Sequence, residues 1–212
     1  MKTYGEFCSL ARSLDVVGDR WALLVVRELF LGPRRFTDLV DGLPGVGTNV
    51  LSTRLRELEA EGIIERTRVP SPTPAVLYEL TRDGRDLKPA LDAFARWGTR
   101  RLTRADADDV VKPQWFVLSL AANLSHESLD ADTSYLLDID DKQFTVKVGE
   151  RDVVATDATR DVPTATITGK LRDFFAAAKG DKRAAQRLQT AGDRSAARKL
   201  VTALIGAMAP TR

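Results

Sequence analysis

Thr48-Asn-Val-Leu-Ser-Thr-Arg-Leu-Arg-Glu-Leu-Glu-Ala-Glu-Gly62 reads as one helix from cap to cap. Thr48 is the expected N-cap and Gly62 the expected C-cap. Leu51, Leu55 and Leu58 recur at helical spacing as an apolar seam. With that seam at the centre of the buried face, Asn49, Ser52, Thr53 and Arg56 lie on the opposite side and Arg54 flanks it.

The flanking segments place this helix within a domain. Upstream, Leu10 to Leu14 reads as a short helix. Asp19 is the expected cap of a longer one, with Trp21, Leu24, Val25 and Leu29 on its apolar face and Arg27 and Glu28 opposite, stopped by Gly32-Pro33. Phe36, Leu39, Val40 and Leu43 mark a third, closed by Pro44-Gly45. Downstream, Ile63 to Val69 and Val76 to Thr81 alternate as two strands, joined by a turn from Pro70 to Pro74 and ended by Asp83-Gly84. Leu87, Leu91, Phe94 and Trp97 mark a last helix reaching about Leu102. The order of four helices, hairpin and helix is that of a winged helix-turn-helix.

Such a domain seats its second helix in the major groove of DNA, where Asn can pair with adenine, Arg with guanine, and hydroxyls with either. Asn49, Ser52, Thr53 and Arg56 are therefore candidate base contacts, and Arg54 a candidate phosphate contact. Arg34 and Arg35 before the preceding helix, and Arg66 and Arg68 on the hairpin, bracket the groove face with positive charge. Helix N-termini near Thr37 and Thr48 would add backbone N–H groups for phosphate. The alternative is that Arg54 and Arg56 pair with Glu57, Glu59 or Glu61 along a solvated face.

The runs from Cys8 to Trp21, Arg35 to Leu39, Leu51 to Ile64 and Tyr78 to Gly84, with Trp97-Gly98, resemble the HxlR-type transcriptional regulators. The resemblance implies a DNA-binding homodimer, joined through the N-terminal segment and the helix near Trp97, on a palindromic operator. Repression is common in that family. The proline-rich hairpin tip departs from the pattern and offers few donors.

A polar stretch from Thr103 to Asp109 opens a linker to about Lys112, so the expected domains are 1–102 and 113–212. The second half reads as a helix, Gln114 to Leu124; strands Ser134 to Asp140, Gln143 to Gly149, Asp152 to Thr156 and Ala165 to Gly169; helices Leu171 to Lys179 and Lys182 to Leu188; a short strand near Gln189; and an amphipathic helix, Asp193 to Ala209. This is α+β with an antiparallel sheet. The strand series, Ala165-Thr-Ile-Thr-Gly169 and Ala191-Gly-Asp193 resemble a sterol-carrier-protein-like domain. That resemblance implies an apolar cavity for a hydrophobic effector or lipid, with Trp115, Phe116, Leu120, Phe144, Phe174, Phe175 and Leu204 as candidate lining. The bland reading makes these residues core.

Composition narrows the alternatives. The 212 residues carry 32 Lys+Arg and 30 Asp+Glu, a net charge of +2, with 43% apolar and 29% charged residues. That is an ordinary globular balance. Basic and acidic residues number 16 and 14 before Thr103, and 16 each after it, so DNA binding must rest on a local cluster. No uncharged apolar run approaches the ~18 residues of a membrane span, and Met1 to Glu6 lacks a signal-peptide core, so the expected location is cytoplasmic with no membrane partner. One Cys and one His exclude an internal disulfide and argue against a zinc site, and no metal or cofactor is expected. Gly45-Val-Gly47 is a turn between helices, Asp138, Asp140 and Asp141 lack a calcium-loop glycine, and His126 is read as solvated. No nucleophile–base set marks an enzyme. Cys8 has two readings: a redox or electrophile sensor activated by a helix N-terminus and Arg12, or an inert thiol buried at a dimer interface. A third possibility is a lipid carrier whose winged helix binds protein.

Overall fold

The computed structural model describes residues 3–70, 74–102 and 109–209. Two compact units divide at Leu91/Asp92. This division lies inside a helix, upstream of the polar stretch where sequence placed the boundary. Thr103 to Asp108 and the hairpin tip Ser71 to Thr73 lie outside the described residues.

The first unit opens with α1 (Ser9–Val17) and α2 (Ala22–Phe30), then β1 (Arg34–Arg35), α3 (Phe36–Gly42) and α4 (Thr48–Ala60). The wing strands β2 (Ile64–Val69) and β3 (Ala75–Leu80) and a short α5 (Arg82–Asp86) follow. α6 (Lys88–Thr99) runs across the division into the second unit. The three strands form an antiparallel sheet in the order β1-β3-β2, with Arg34 opposite Tyr78 and Ile64 opposite Leu80. Ala22, Val25, Val26 and Leu29 of α2 pack with Leu39, the α4 leucines, Ile63, Ile64 and Leu80.

Several local expectations are corrected. α1 is longer than Leu10 to Leu14. Asp19 does not cap α2: Trp21 does, in the left-handed region at φ 80°, leaving the Asp19 carboxylate for another helix. Leu24 is exposed and Glu28 buried, reversing their expected sides, because Arg27 donates to the Glu28 carboxylate at 2.7 Å. Asp83-Gly84 falls within α5, whose cap is Thr81: its Oγ accepts from the Gly84 N–H at 3.1 Å. β1 and α5 leave no signal in the sequence. A two-residue strand and a five-residue helix are too short to show a period.

The second unit contains the C-terminal part of α6, α7 (Pro113–Asn123), β4 (Ser134–Ile139), β5 (Lys142–Val148), β6 (Val153–Asp157), β7 (Ala165–Gly169), α8 (Leu171–Ala178), α9 (Lys182–Gln186), β8 (Gln189–Gly192) and α10 (Arg194–Leu204). The α+β reading and element order hold, but the sheet is mixed. Its order is β6-β5-β4-β7-β8, and β4 and β7 are parallel, Leu137 opposite Ile167. A period-2 pattern gives the faces of a strand, not the direction of its neighbour. Asp140 and Asp141 both have positive φ and form the two-residue turn of the β4–β5 hairpin, rather than strand.

The proposed cavity lining is also corrected in part. Leu120, Phe144, Phe174 and Leu204 are at most 4% exposed and build the core with Tyr135, Leu137 and Ile167. Phe116, 3% exposed, is also core, but with the half-buried Trp115 and Phe175 it lines a depression of about 450 Å³.

Candidate nucleic-acid interface

The site begins with the α4 seam. Leu51, Leu55 and Leu58 are 0–2% exposed, so the opposite face must meet solvent. Asn49, Thr53 and Arg56 are exposed on it, Thr48 precedes them, and Ser52 is half-buried. Arg56 reaches only its own helix, with Nη2 3.3 Å from Thr53 Oγ1 and Nε 3.4 Å from the Ser52 carbonyl. Among the described residues it pairs with no carboxylate, so the solvated-pair alternative fails for Arg56.

Arg54 behaves oppositely, and its assignment to phosphate is corrected. Its side chain is 14% exposed and its Nη1 donates to both Asp19 Oδ2 and Glu57 Oε2 at 2.5 Å. Flanking the seam puts the side chain against the segment before α2, where two carboxylates already neutralise it. Arg54 therefore ties α4 to the body of the domain.

The two helix N-termini also differ. At α3 the Asp38 carboxylate turns back to accept from the Arg35 N–H at 2.8 Å, placing a negative charge where a phosphate near Thr37 would sit. At α4 the cap is Gly47 rather than Thr48, no side chain closes it, and the first turn carries no acidic residue. Its first-turn amides therefore have no acidic side chain of their own helix facing them.

Arg34 lies in β1 paired with β3, and Arg35 beside it is exposed. On the wing, Arg68 is exposed, while Arg66 Nε donates to Glu59 Oε1 at 2.7 Å. That bond and the Glu59 charge raise the pKa of Arg66, and the pair fastens the wing to α4. Phe36, Ser52, Arg56, Glu59, Arg66 and Tyr78 line a shallow hollow of about 190 Å³ between α4 and the wing. Arg54 and Arg66 thus hold α4 to the segment before α2 and to the wing. Sequence could name Glu57 as a partner of Arg54, but not Asp19.

Cys8 is exposed and occupies the N-cap position of α1. The N–H groups of Ala11 and Leu10 face its sulfur and lower the thiol pKa. Arg12, expected to do this, pairs instead with Asp15 at 3.4 Å. Asp15 also accepts from the Tyr4 N–H and the Thr3 hydroxyl, each at 2.9 Å, fixing the N-terminal segment to α1.

Comparison with known proteins bears on the same half. Residues 16–106 match the model of the HxlR-like helix-turn-helix family. The uncharacterized HTH-type transcriptional regulator sll1512 of Synechocystis is 43% identical over 95 residues, 45% of this chain and 70% of that protein. YvaP of Bacillus subtilis, described in the same words, is 36% identical over 95 residues, 44% of this chain and 88% of that protein. Among solved structures, the redox regulator HypR in its reduced form is 33% identical, covering 43% of this chain and 90% of its own, with a TM-score of 0.41. Through its N-terminal half, the chain belongs to the HxlR-like helix-turn-helix family of transcriptional regulators.

Proposed function

We propose that the chain is a homodimeric, sequence-specific regulator that inserts α4 into the major groove of a palindromic operator. The carrying observation is the exposed face of α4, with Asn49, Thr53 and Arg56 outward and Arg56 paired with no carboxylate among the described residues. Asn49, Ser52, Thr53 and Arg56 read bases. The Thr48 amide at the open helix end, with Arg34, Arg35 and Arg68, holds phosphates. A dimer reads half-sites about 34–36 Å apart. Its contact uses Tyr4, Phe7 and Leu10 of the N-terminal segment, which are 62–106% exposed, together with Phe94 and Trp97 of α6. The protein acts in the cytoplasm as a repressor, without catalytic activity, and the second unit binds a hydrophobic effector. The effector acts only if it binds the operator-competent and incompetent states unequally.

A second reading, signalling through oxidation of Cys8, is favoured by the exposure and lowered pKa of that thiol. A Cys8→Ser variant that still responds to the inducing condition removes it.

The test is selection from random duplex DNA at two salt concentrations. The expected result is a palindromic motif whose binding weakens steeply with salt. Enrichment of nothing, or binding indifferent to salt, refutes the assignment of α4 and moves the search to lipid and protein partners.

A further inference from the structure

We propose that the depression beside Trp115 takes a small aromatic carboxylate. The inference rests on reading the second unit as effector-binding and gives that effector a chemical class. The depression, about 450 Å³, lies wholly within that unit and is of ordinary ligand size. Trp115, Phe116 and Phe175 form its aromatic side, and Phe116 and Phe175 meet at 6.0 Å with planes tilted by 50°. Tilted rings present both edges and faces, to which a third ring can add. Val110 and Val111 also line it and are 51% and 54% exposed, apolar surface that a bound ring would cover.

Charge selects the other end of the ligand. Among the described residues, three cations, Arg101, Lys112 and Lys179, line the depression against one carboxylate, Asp109. Pairing with Asp109 can neutralise only one of the three. The Lys179 amine donates to the Leu102 carbonyl at 2.6 Å and lies 5.0 Å from the Phe175 ring centre, and the Arg101 guanidinium lies 3.6 Å from that of Trp97. Neither contact supplies a negative charge, so an anionic head beside the rings gains charge-assisted bonds. A carboxylate fits better than a phosphate dianion, whose dehydration against this much apolar surface costs more.

The test is calorimetric titration of the full chain with 2-naphthoate, neutral 2-naphthalenemethanol and decanoate. Naphthoate is expected to bind about tenfold or more tightly than the alcohol, the worth of one charge-assisted bond. Arg101→Met and Lys179→Met should each weaken naphthoate and leave the alcohol unchanged. Arg101 is exposed, so its variant keeps the test valid if loss of the Lys179 bond disturbs folding. Equal binding of naphthoate and the alcohol overturns the anion assignment while leaving an effector pocket. Tighter binding of decanoate than naphthoate overturns the aromatic assignment. Binding of none of the three overturns both this proposal and the effector reading at this site.

Discussion

Arg54 and Arg56 are two residues apart on one helix, and the structure gives them opposite surroundings: Arg54 is ion-paired to Asp19 and Glu57, and Arg56 is exposed. Arg54→Met removes two charge-assisted hydrogen bonds, to Asp19 and Glu57. Such bonds contribute about 1.5–3 kcal/mol each. Part of that is offset because the side chain is 14% exposed and its Nε is buried with no hydrogen-bond partner among the described residues. Asp19, 60% exposed, is rehydrated on losing its partner, so no buried charge is stranded. The expected net loss is about 1–3 kcal/mol, which lowers the urea midpoint by roughly 1 M. Operator affinity, measured where the variant is still folded, should remain within about twofold, because that guanidinium is not at the DNA face. Arg56→Met should do the reverse. Its stability should change by less than about 0.5 kcal/mol, while operator affinity falls by about 1–3 kcal/mol, roughly 5- to 150-fold. Urea unfolding followed by Trp fluorescence and anisotropy of a labelled operator read the two quantities separately. A salt slope unchanged in Arg56→Met marks a base contact, whereas a slope reduced by about 1 marks a phosphate contact. An Arg54 variant as stable as the parent but defective on DNA would refute the division of labour.

Four further outcomes are expected. Gly84→Ala should destabilise the first unit by about 1–3 kcal/mol or more, because an added Cβ would lie 2.1 Å from the Ile63 carbonyl oxygen; an unchanged urea midpoint contradicts it. Asp193→Ala should cost the second unit about 1 kcal/mol, since its carboxylate accepts from the Ser195 and Ala196 N–H groups at 2.8 and 2.9 Å, while Asp193→Asn retains most of the stability. The Asp15 carboxyl is held below its ordinary pKa, chiefly by the Tyr4 N–H. Its hold on the N-terminal segment is therefore complete above the unfolded-state pKa and fades as pH falls through the lower folded value; hydrogen exchange at Tyr4 insensitive to acid counts against it. Cys8 should alkylate with iodoacetamide with a pH midpoint below that of the urea-unfolded chain, because the folded N–H groups of Ala11 and Leu10 favour the thiolate; coincident midpoints reject this.

The leucine period of α4 is a local pattern that survives in the structure because burying the apolar face is the dominant local demand; Gly45 and Gly62 keep their turns through positive φ, and the wing strands form although β2 is exposed beyond Ile64. The candidate readers Asn49, Thr53 and Arg56 follow directly, as the side opposite a buried seam. Sequence also recovered nearly every element of the second unit, where burial alternates along β4 and Asp193 caps α10.

Tertiary structure decided what each charge does. Asp19 meets Arg54 across 35 residues, and Arg66 of the wing meets Glu59 of α4, so two arginines of the expected DNA face are already partnered. Asp38 closes the start of α3 while the start of α4 stays open, a difference of side-chain direction that residue type alone does not specify. The parallel pairing of β4 with β7, and the half-buried position of Trp115 and Phe175 beside the buried Phe116, are likewise set by which elements meet. Periodicity encodes which face of an element is buried, because burial repeats with the backbone; partnership between distant side chains has no period and exists only once the chain has folded.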